Sequence, residues 1–91
     1  MLDEEGLQAM EAVLGELEAT KRRESVCNDE LRTARAQLHG VDCVGWRRAL
    51  VEQRCERLQR RAEAAREQRQ AVVPRVRAVW ESLERLSHLN E

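Results

Sequence analysis

Aromatic residues, proline and glycine are scarce in this chain of 91 residues. It contains two Trp and neither Tyr nor Phe, together with one Pro and four Gly. With so few large apolar side chains, a conventional globular core is not expected, and the near absence of strand-type alternation argues against a β-rich fold. No apolar run approaches the roughly 18–20 residues that span a bilayer, so the sequence predicts no membrane segment.

Charged and helix-forming residues are abundant instead. Ala, Glu, Lys, Leu and Arg make up 52 of the 91 residues, a composition typical of long helices and coiled coils. The net charge of -1 hides an asymmetry, since residues 1–38 carry nine acids and five bases whereas residues 46–73 carry four acids and eight bases. The opposite charges favour two helical arms that face each other; two independently solvated helices are the alternative.

The second half of the chain has a regular seven-residue apolar repeat. Every seventh residue from Val44 to Leu86 is apolar, and a second series that includes Cys55 and Val76 is apolar at most of its positions. Such a repeat over several heptads predicts a coiled coil. In the first half the apolar residues also follow spacings of three and four, through Leu7, Met10, Leu14 and Leu17 and again at Leu31 and Leu38.

A turn is predicted in the middle of the chain, where Gly40 and Gly45 flank Asp42. Gly40 is expected to end the first helix and Asp42 to cap the second. One unbroken helix with two tolerated glycines is the alternative. The predicted elements are a helix over about 3–38, a turn over about 39–45, and a helix over about 46–73 that continues through 74–89 with a kink at Pro74.

The predicted fold class is therefore all-α: a single domain over residues 1–91, built as an antiparallel two-helix coiled-coil hairpin. Two helices bury little apolar area, and each Å² of it stabilises the fold by only about 25 cal/mol. We therefore expect the hairpin to be completed by self-association or by a partner's helices.

One register, in which the numbers of paired residues add up to 82, aligns the apolar repeats of the two arms. It places Cys27 opposite Cys55, and it leaves Glu24 as the polar exception, opposite Leu58. The predicted intrachain seam consists of Met10, Leu17, Leu31, Leu38, Val44, Val51, Cys55, Leu58, Ala65 and Val72.

The same register leaves the end of the second helix without a partner in its own chain. Its apolar stripe is then available to a partner's helix or to a second copy of the chain, and the sequence favours neither. The residues predicted to bind a partner are Val76, Val79, Trp80, Leu83, Leu86 and Leu89.

No catalytic, cofactor or metal site is predicted. His39 and Cys43 in the turn lack the second pair of ligands that a zinc site needs, and two helices form no substrate pocket. Cys27 and Cys55 are expected to be reduced thiols on helical stripes, with a disulfide between them as the alternative. The odd number of cysteines, three, and the lack of a secretory leader predict an intracellular protein, cytoplasmic or nuclear.

These features together predict a non-enzymatic protein–protein interaction module, acting as a small subunit, scaffold or adaptor of an intracellular complex through helix packing. Two alternatives stay open. A nucleic-acid-associated module would use the Arg-rich stretch of residues 47–69, although no aromatic residues are interleaved there. A chaperone-type hairpin would hold a client helix. No membrane surface or small-molecule substrate is expected as a partner.

Overall fold

The computed structural model describes residues 4–89, which form two α-helices joined by a short turn. Helix α1 spans Glu4–Leu38 and helix α2 spans Trp46–Leu89. The helices pack against each other as a hairpin whose principal-axis extents are 69 × 15 × 14 Å, and no strand occurs within residues 4–89. The all-helical class and the helical hairpin are confirmed. Asp3, near the predicted start of the first helix, lies outside the described residues.

The turn leads into α2 through a glycine in the left-handed region. Gly45 has a φ of 60°, and its carbonyl accepts the first hydrogen bond of α2, from the Ala49 amide at 3.3 Å. Residues with a Cβ rarely adopt this conformation, so Gly45 suits the position. The prediction that Asp42 caps α2 is wrong, because α2 begins at Trp46 and Asp42 lies in the turn four residues before it.

The ends and interiors of the helices follow from their residues. Glu4 and Glu5 lie in the first turn of α1, where carboxylates are stabilised by the positive end of the helix dipole. Pro74 lies inside α2, which is helical on both sides of it from Trp46 to Leu89. The kink predicted at Pro74 stays a prediction.

Each helix buries one narrow line of residues, and the two lines together are called the seam. The buried and half-buried residues recur at alternating spacings of four and three. In α1 the seam contains Gly6, Met10, Val13, Leu17, Thr20, Glu24, Cys27, Leu31, Ala34 and Leu38; in α2 it contains Val51, Cys55, Leu58, Ala62, Ala65, Arg69, Val72, Val76, Val79 and Leu83. One face of each helix therefore makes the contact between them.

The predicted seam residues lie on this line with one exception. The structure places nine of the ten in the seam, but Val44 lies in the turn and is exposed. Its predicted contact with Leu38 is wrong, since α2 begins only at Trp46. Sequence reasoning missed Val13, Thr20 and Ala34, all of which are buried. The two least exposed residues, Ala34 and Leu58, form a small buried cluster with Leu31 and Ala62, and Cys27 and Cys55 pack against it.

The register between the helices differs from the prediction. The two residue numbers of each interhelical polar pair add up to between 91 and 94, rather than to 82. These pairs are Glu16–Arg75, Arg23–Gln68, Glu24–Arg69, Glu30–Arg61 and Arg35–Gln59. One helix is thus displaced by roughly ten residues, or about 15 Å at 1.5 Å per residue. The predicted juxtaposition of Cys27 with Cys55 is therefore wrong, and the cysteines are free.

A charged pair in the seam accounts for the register. Glu24 and Arg69 are the charged residues among the seam residues named above, and their side chains, 17% and 29% exposed, form an ion pair. In the predicted register Glu24 would face Leu58, and Arg69 would face apolar α1 residues. Leaving two partly buried charges unpaired is unfavourable, so the register that pairs them is favoured.

Reversing one charge of this pair is expected to destabilise the hairpin. Glu24→Arg places two cations side by side in the seam, and we expect a loss of about 1–2 kcal/mol in the free energy of unfolding, less than for a fully buried pair. The double variant Glu24→Arg/Arg69→Glu should recover most of that loss. Urea denaturation followed by circular dichroism measures both.

Glu52→Arg provides the matched control for this prediction, because the exposed Arg48–Glu52 pair lies within α2. Its effect should stay within about 0.5 kcal/mol. Equal destabilisation by Glu24→Arg and Glu52→Arg, or no recovery in the double variant, would contradict a register-setting role for the Glu24–Arg69 pair.

Candidate partner-binding surface

The six residues predicted to bind a partner divide into two groups. Val76, Val79 and Leu83 lie in the seam, and Leu83 is only 6% exposed. Leu83 and Leu86 line one groove with Gly6 of α1, so α1 covers this part of α2. The prediction of an uncovered overhang is wrong because of the displaced register. The exposed members of the set are Trp80, Leu86 and Leu89.

Polar side chains close one flank of the seam, here called the ionic flank. Its members immediately precede seam residues on both helices. Glu16 Oε2 lies 2.7 Å from Arg75 Nη1, and Glu30 Oε2 lies 4.0 Å from Arg61 Nη1. Arg23 donates a hydrogen bond of 3.2 Å to Gln68. The opposite charges of the two arms therefore meet along this flank, mostly as exposed pairs that contribute little each.

The other flank is formed by residues that immediately follow the seam residues Val13, Ala34, Leu58 and Val79 and their repeats. Arg35 donates a hydrogen bond to Gln59 across this flank. Steps of seven residues from that pair toward the helix termini set Lys21 level with Val73 and Leu14 level with Trp80. The composition of the flank thus changes from polar near the turn to apolar near the termini.

Leu7, Leu14, Val73 and Trp80 form the apolar part of this flank, here called the apolar strip. Their exposures lie between 40% and 56%, although all are large hydrophobic residues. Leu7 and Leu14 follow the seam residues Gly6 and Val13, so both leucines lie at the edge of the contact although they share the apolar spacing of Met10 and Leu17. A group of four exposed apolar side chains on one side of two helices is a candidate contact surface.

A row of glutamates borders the apolar strip along α1, here called the acidic row. Glu4, Glu11 and Glu18 are exposed and repeat every seven residues. Glu4 precedes Leu7 by three residues and Glu11 precedes Leu14 by three, which makes each pair neighbours on the helix surface. Glu18 also pairs with Arg22 of the same helix at 3.5 Å. The bordering positions on α2 are Gln70, Arg77 and Glu84, which carry no net charge.

A second exposed apolar group surrounds the turn at the opposite end of the hairpin. Val41, Val44, Trp46 and Leu50 are exposed there. The Arg47 guanidinium carbon lies 5.5 Å from the centroid of the Trp46 ring, within the range of a cation–π contact. This turn-end group and the apolar strip are separated by most of the length of the molecule.

The arginines of residues 47–69 do not share one face of α2. Arg69 lies in the seam, Arg61 on the ionic flank, and Arg66 on the opposite flank, since it precedes Val73 by one heptad. Arg48 and Arg61 are paired with carboxylates. The predicted Arg-rich face for nucleic-acid binding is therefore distributed around the helix rather than concentrated.

Within residues 4–89, no group of three or more His, Cys, Asp or Glu side chains is placed to hold a metal ion. In the same part of the chain, neither helix is long and apolar enough to cross a membrane. Comparison of the chain with protein-family models, curated proteins and solved structures found no match. The function of the chain is therefore inferred from the surface of its own structure.

Proposed function

We propose that this chain is a coiled-coil hairpin that binds protein partners by helix packing, as a non-enzymatic small subunit, scaffold or adaptor. One observation carries the proposal. The seam uses a single face of each helix, and within residues 4–89 eleven large hydrophobic side chains remain exposed. Soluble monomers seldom expose grouped apolar residues without a contact to make.

The size of the internal contact supports the same proposal. Among the described residues, none of the large side chains is fully buried. Five of the eight buried apolar residues are no larger than valine: Val13, Ala34, Ala62, Ala65 and Val72. Small seam residues bury little area, so the hairpin gains limited stability by itself. A further helix packed on the exposed flank would add to it.

The alternating spacings of four and three along the seam support a coiled-coil geometry, with Glu24–Arg69 as its polar layer. The bend at Pro74 belongs to the same proposal, because proline removes a backbone donor from α2. Free cysteines favour a reducing compartment, cytosol or nucleus. A second copy of the chain is the other occupant to be tested, and a client-holding hairpin would differ in the lifetime of its complex.

Photo-crosslinking in cells tests the proposal. The photoreactive residue p-benzoylphenylalanine replaces Leu14 in the apolar strip, Trp46 in the turn-end group, or Glu67, which is exposed and lies on the side of α2 away from the seam. Discrete adducts with other proteins are expected from position 14, position 46 or both, and no adducts from position 67. The adducts are read by gel shift and mass spectrometry.

Adducts at none of the three positions, with the protein folded by circular dichroism, would contradict an interaction module. Equal adducts at all three positions would indicate nonspecific proximity and would contradict it as well. An adduct whose mass is twice that of the chain would assign the surface to self-association.

A further inference from the structure

We propose that the apolar strip and the acidic row together bind one basic amphipathic helix of another protein, about four turns long. The inference rests on the proposed function and specifies its partner. Two independent features of one surface carry it: exposed apolar side chains from both helices, and a one-sided charge along their border.

The length of the occupant follows from the extent of the apolar strip. Along the hairpin the strip runs from Leu7 to Val73. Because Val73 lies level with Lys21 of α1, this distance corresponds to 14 residues of α1. At about 1.5 Å per residue this is roughly 21 Å, four turns of helix. Lys21 and Arg66 end the strip on the two helices, so an apolar face longer than this would meet charged side chains.

The charge of the occupant follows from the acidic row. Glu4, Glu11 and Glu18 recur every seven residues and therefore about 10.5 Å apart along one edge of the apolar strip. A helix lying on the strip with Lys or Arg at the same seven-residue spacing places each cation beside one glutamate. The α2 edge, with Arg77 and Glu84, offers no net charge, so the cations are required on one edge of the occupant. A helix docked in the reverse direction would carry its cations on the opposite edge, so this asymmetry fixes the direction of the docked helix.

A second copy of the chain fits this surface poorly. If α1 packs on α1 of the copy, the acidic rows meet and repel. If α1 packs on α2, the acidic row faces Gln70, Arg77 and Glu84 of the copy, which offer it no net charge, and an extended contact buries Lys21 and Arg66. Like charges in contact and unpaired buried charges both oppose association. The occupant that the charges fit is a basic helix from another chain.

A peptide titration tests the inference. The probe is a synthetic amphipathic peptide of 18 residues with Leu at spacings of three and four and Lys along one edge; the matched probe carries Glu in place of Lys. In the Trp46→Phe protein Trp80 is the remaining tryptophan, and its ring, whose Nε1 donates a hydrogen bond to Glu84, reports on the strip. We expect a blue shift of its emission and at least tenfold tighter binding of the Lys peptide.

Two variants separate the apolar and charged contributions. Leu14→Ser should weaken binding of the Lys peptide at least tenfold, and Glu11→Lys/Glu18→Lys should reverse the preference toward the Glu peptide. Glu56→Lys/Glu63→Lys, on the part of α2 nearer the turn, is the matched control and should keep the original preference. Circular dichroism checks that each variant remains helical.

Binding of neither peptide at millimolar concentration, equal binding of both, or an unchanged preference in Glu11→Lys/Glu18→Lys would overturn the inference. So would a dimer in sedimentation that Leu14→Ser dissociates. These outcomes leave the proposed function intact if crosslinks form at Trp46, because the turn-end group is a separate surface. The absence of crosslinks at both positions would instead count against the interaction module itself.

Discussion

Leu58→Ala is expected to lower the free energy of unfolding by about 2–4 kcal/mol and to leave the chain largely unfolded near physiological temperature. Leu58 is 4% exposed and belongs to the small cluster with Leu31, Ala34 and Ala62. Truncating a buried leucine removes its transfer free energy and leaves a cavity. Because the seam is narrow and five of its eight buried apolar residues are alanine or valine, this loss is a large part of the total stability.

Leu50→Ala is the matched control, since Leu50 lies in the same helix but is 55% exposed. Its effect should stay within about 0.5 kcal/mol. Thermal unfolding followed by circular dichroism at several protein concentrations compares the two variants. Similar melting curves for Leu58→Ala and Leu50→Ala would mean that the seam does not stabilise the hairpin.

A cysteine introduced at position 65 is expected to form a disulfide with Cys27 within one molecule. Cys27 and Ala65 line one groove between the helices, and their residue numbers fit the observed register. With Cys43→Ser and Cys55→Ser to remove the other thiols, Ala65→Cys should be oxidised in most molecules by mild oxidant. Faster migration on a non-reducing gel and a mass lower by two hydrogens report the bond.

The Cys43→Ser protein, which keeps Cys27 and Cys55, is the comparison for this experiment. Its two thiols lie roughly ten residues apart along the hairpin, too far for a bond between them. Rapid intramolecular oxidation of Cys27 and Cys55, together with none in the Ala65→Cys protein, would contradict the observed register and support the one in which paired residue numbers add up to 82.

The sequence was sufficient to predict the helices and the seam of α2, but not the register. The apolar residues of each helix recur at spacings of three and four, so moving one helix by ten or eleven residues again sets apolar residues opposite one another, and the apolar pattern alone cannot distinguish such registers. The two charged seam residues carry the missing signal. Aligning Glu24 with Arg69 selects the observed arrangement, whereas aligning leucines and valines does not.

The candidate surface was missed for a related reason. Leu7, Met10, Leu14 and Leu17 satisfy spacings of three and four, and bulky leucines suggest a buried stripe more strongly than small residues do. The structure places Gly6, Val13, Thr20 and the residues seven apart from them in the seam, in place of Leu7 and Leu14. The Thr20 hydroxyl donates a hydrogen bond to the Leu17 carbonyl at 2.9 Å. Small residues allow the helices to approach closely, which leaves Leu7 and Leu14 at the edge of the contact between them.

Because a single turn connects the helices, the hairpin opens first at the helix ends that lie far from the turn. Near the turn, Gln37 and Val51 share a groove although they are only fourteen residues apart, whereas Gly6 and Leu83 share one across 77 residues. Loop-closure entropy grows with this separation, so the terminal contacts fray first. The apolar strip lies on that fraying end. A helix docked there would hold the ends of the two helices together. Its binding should therefore slow amide hydrogen exchange most around Val79 and least around Val51.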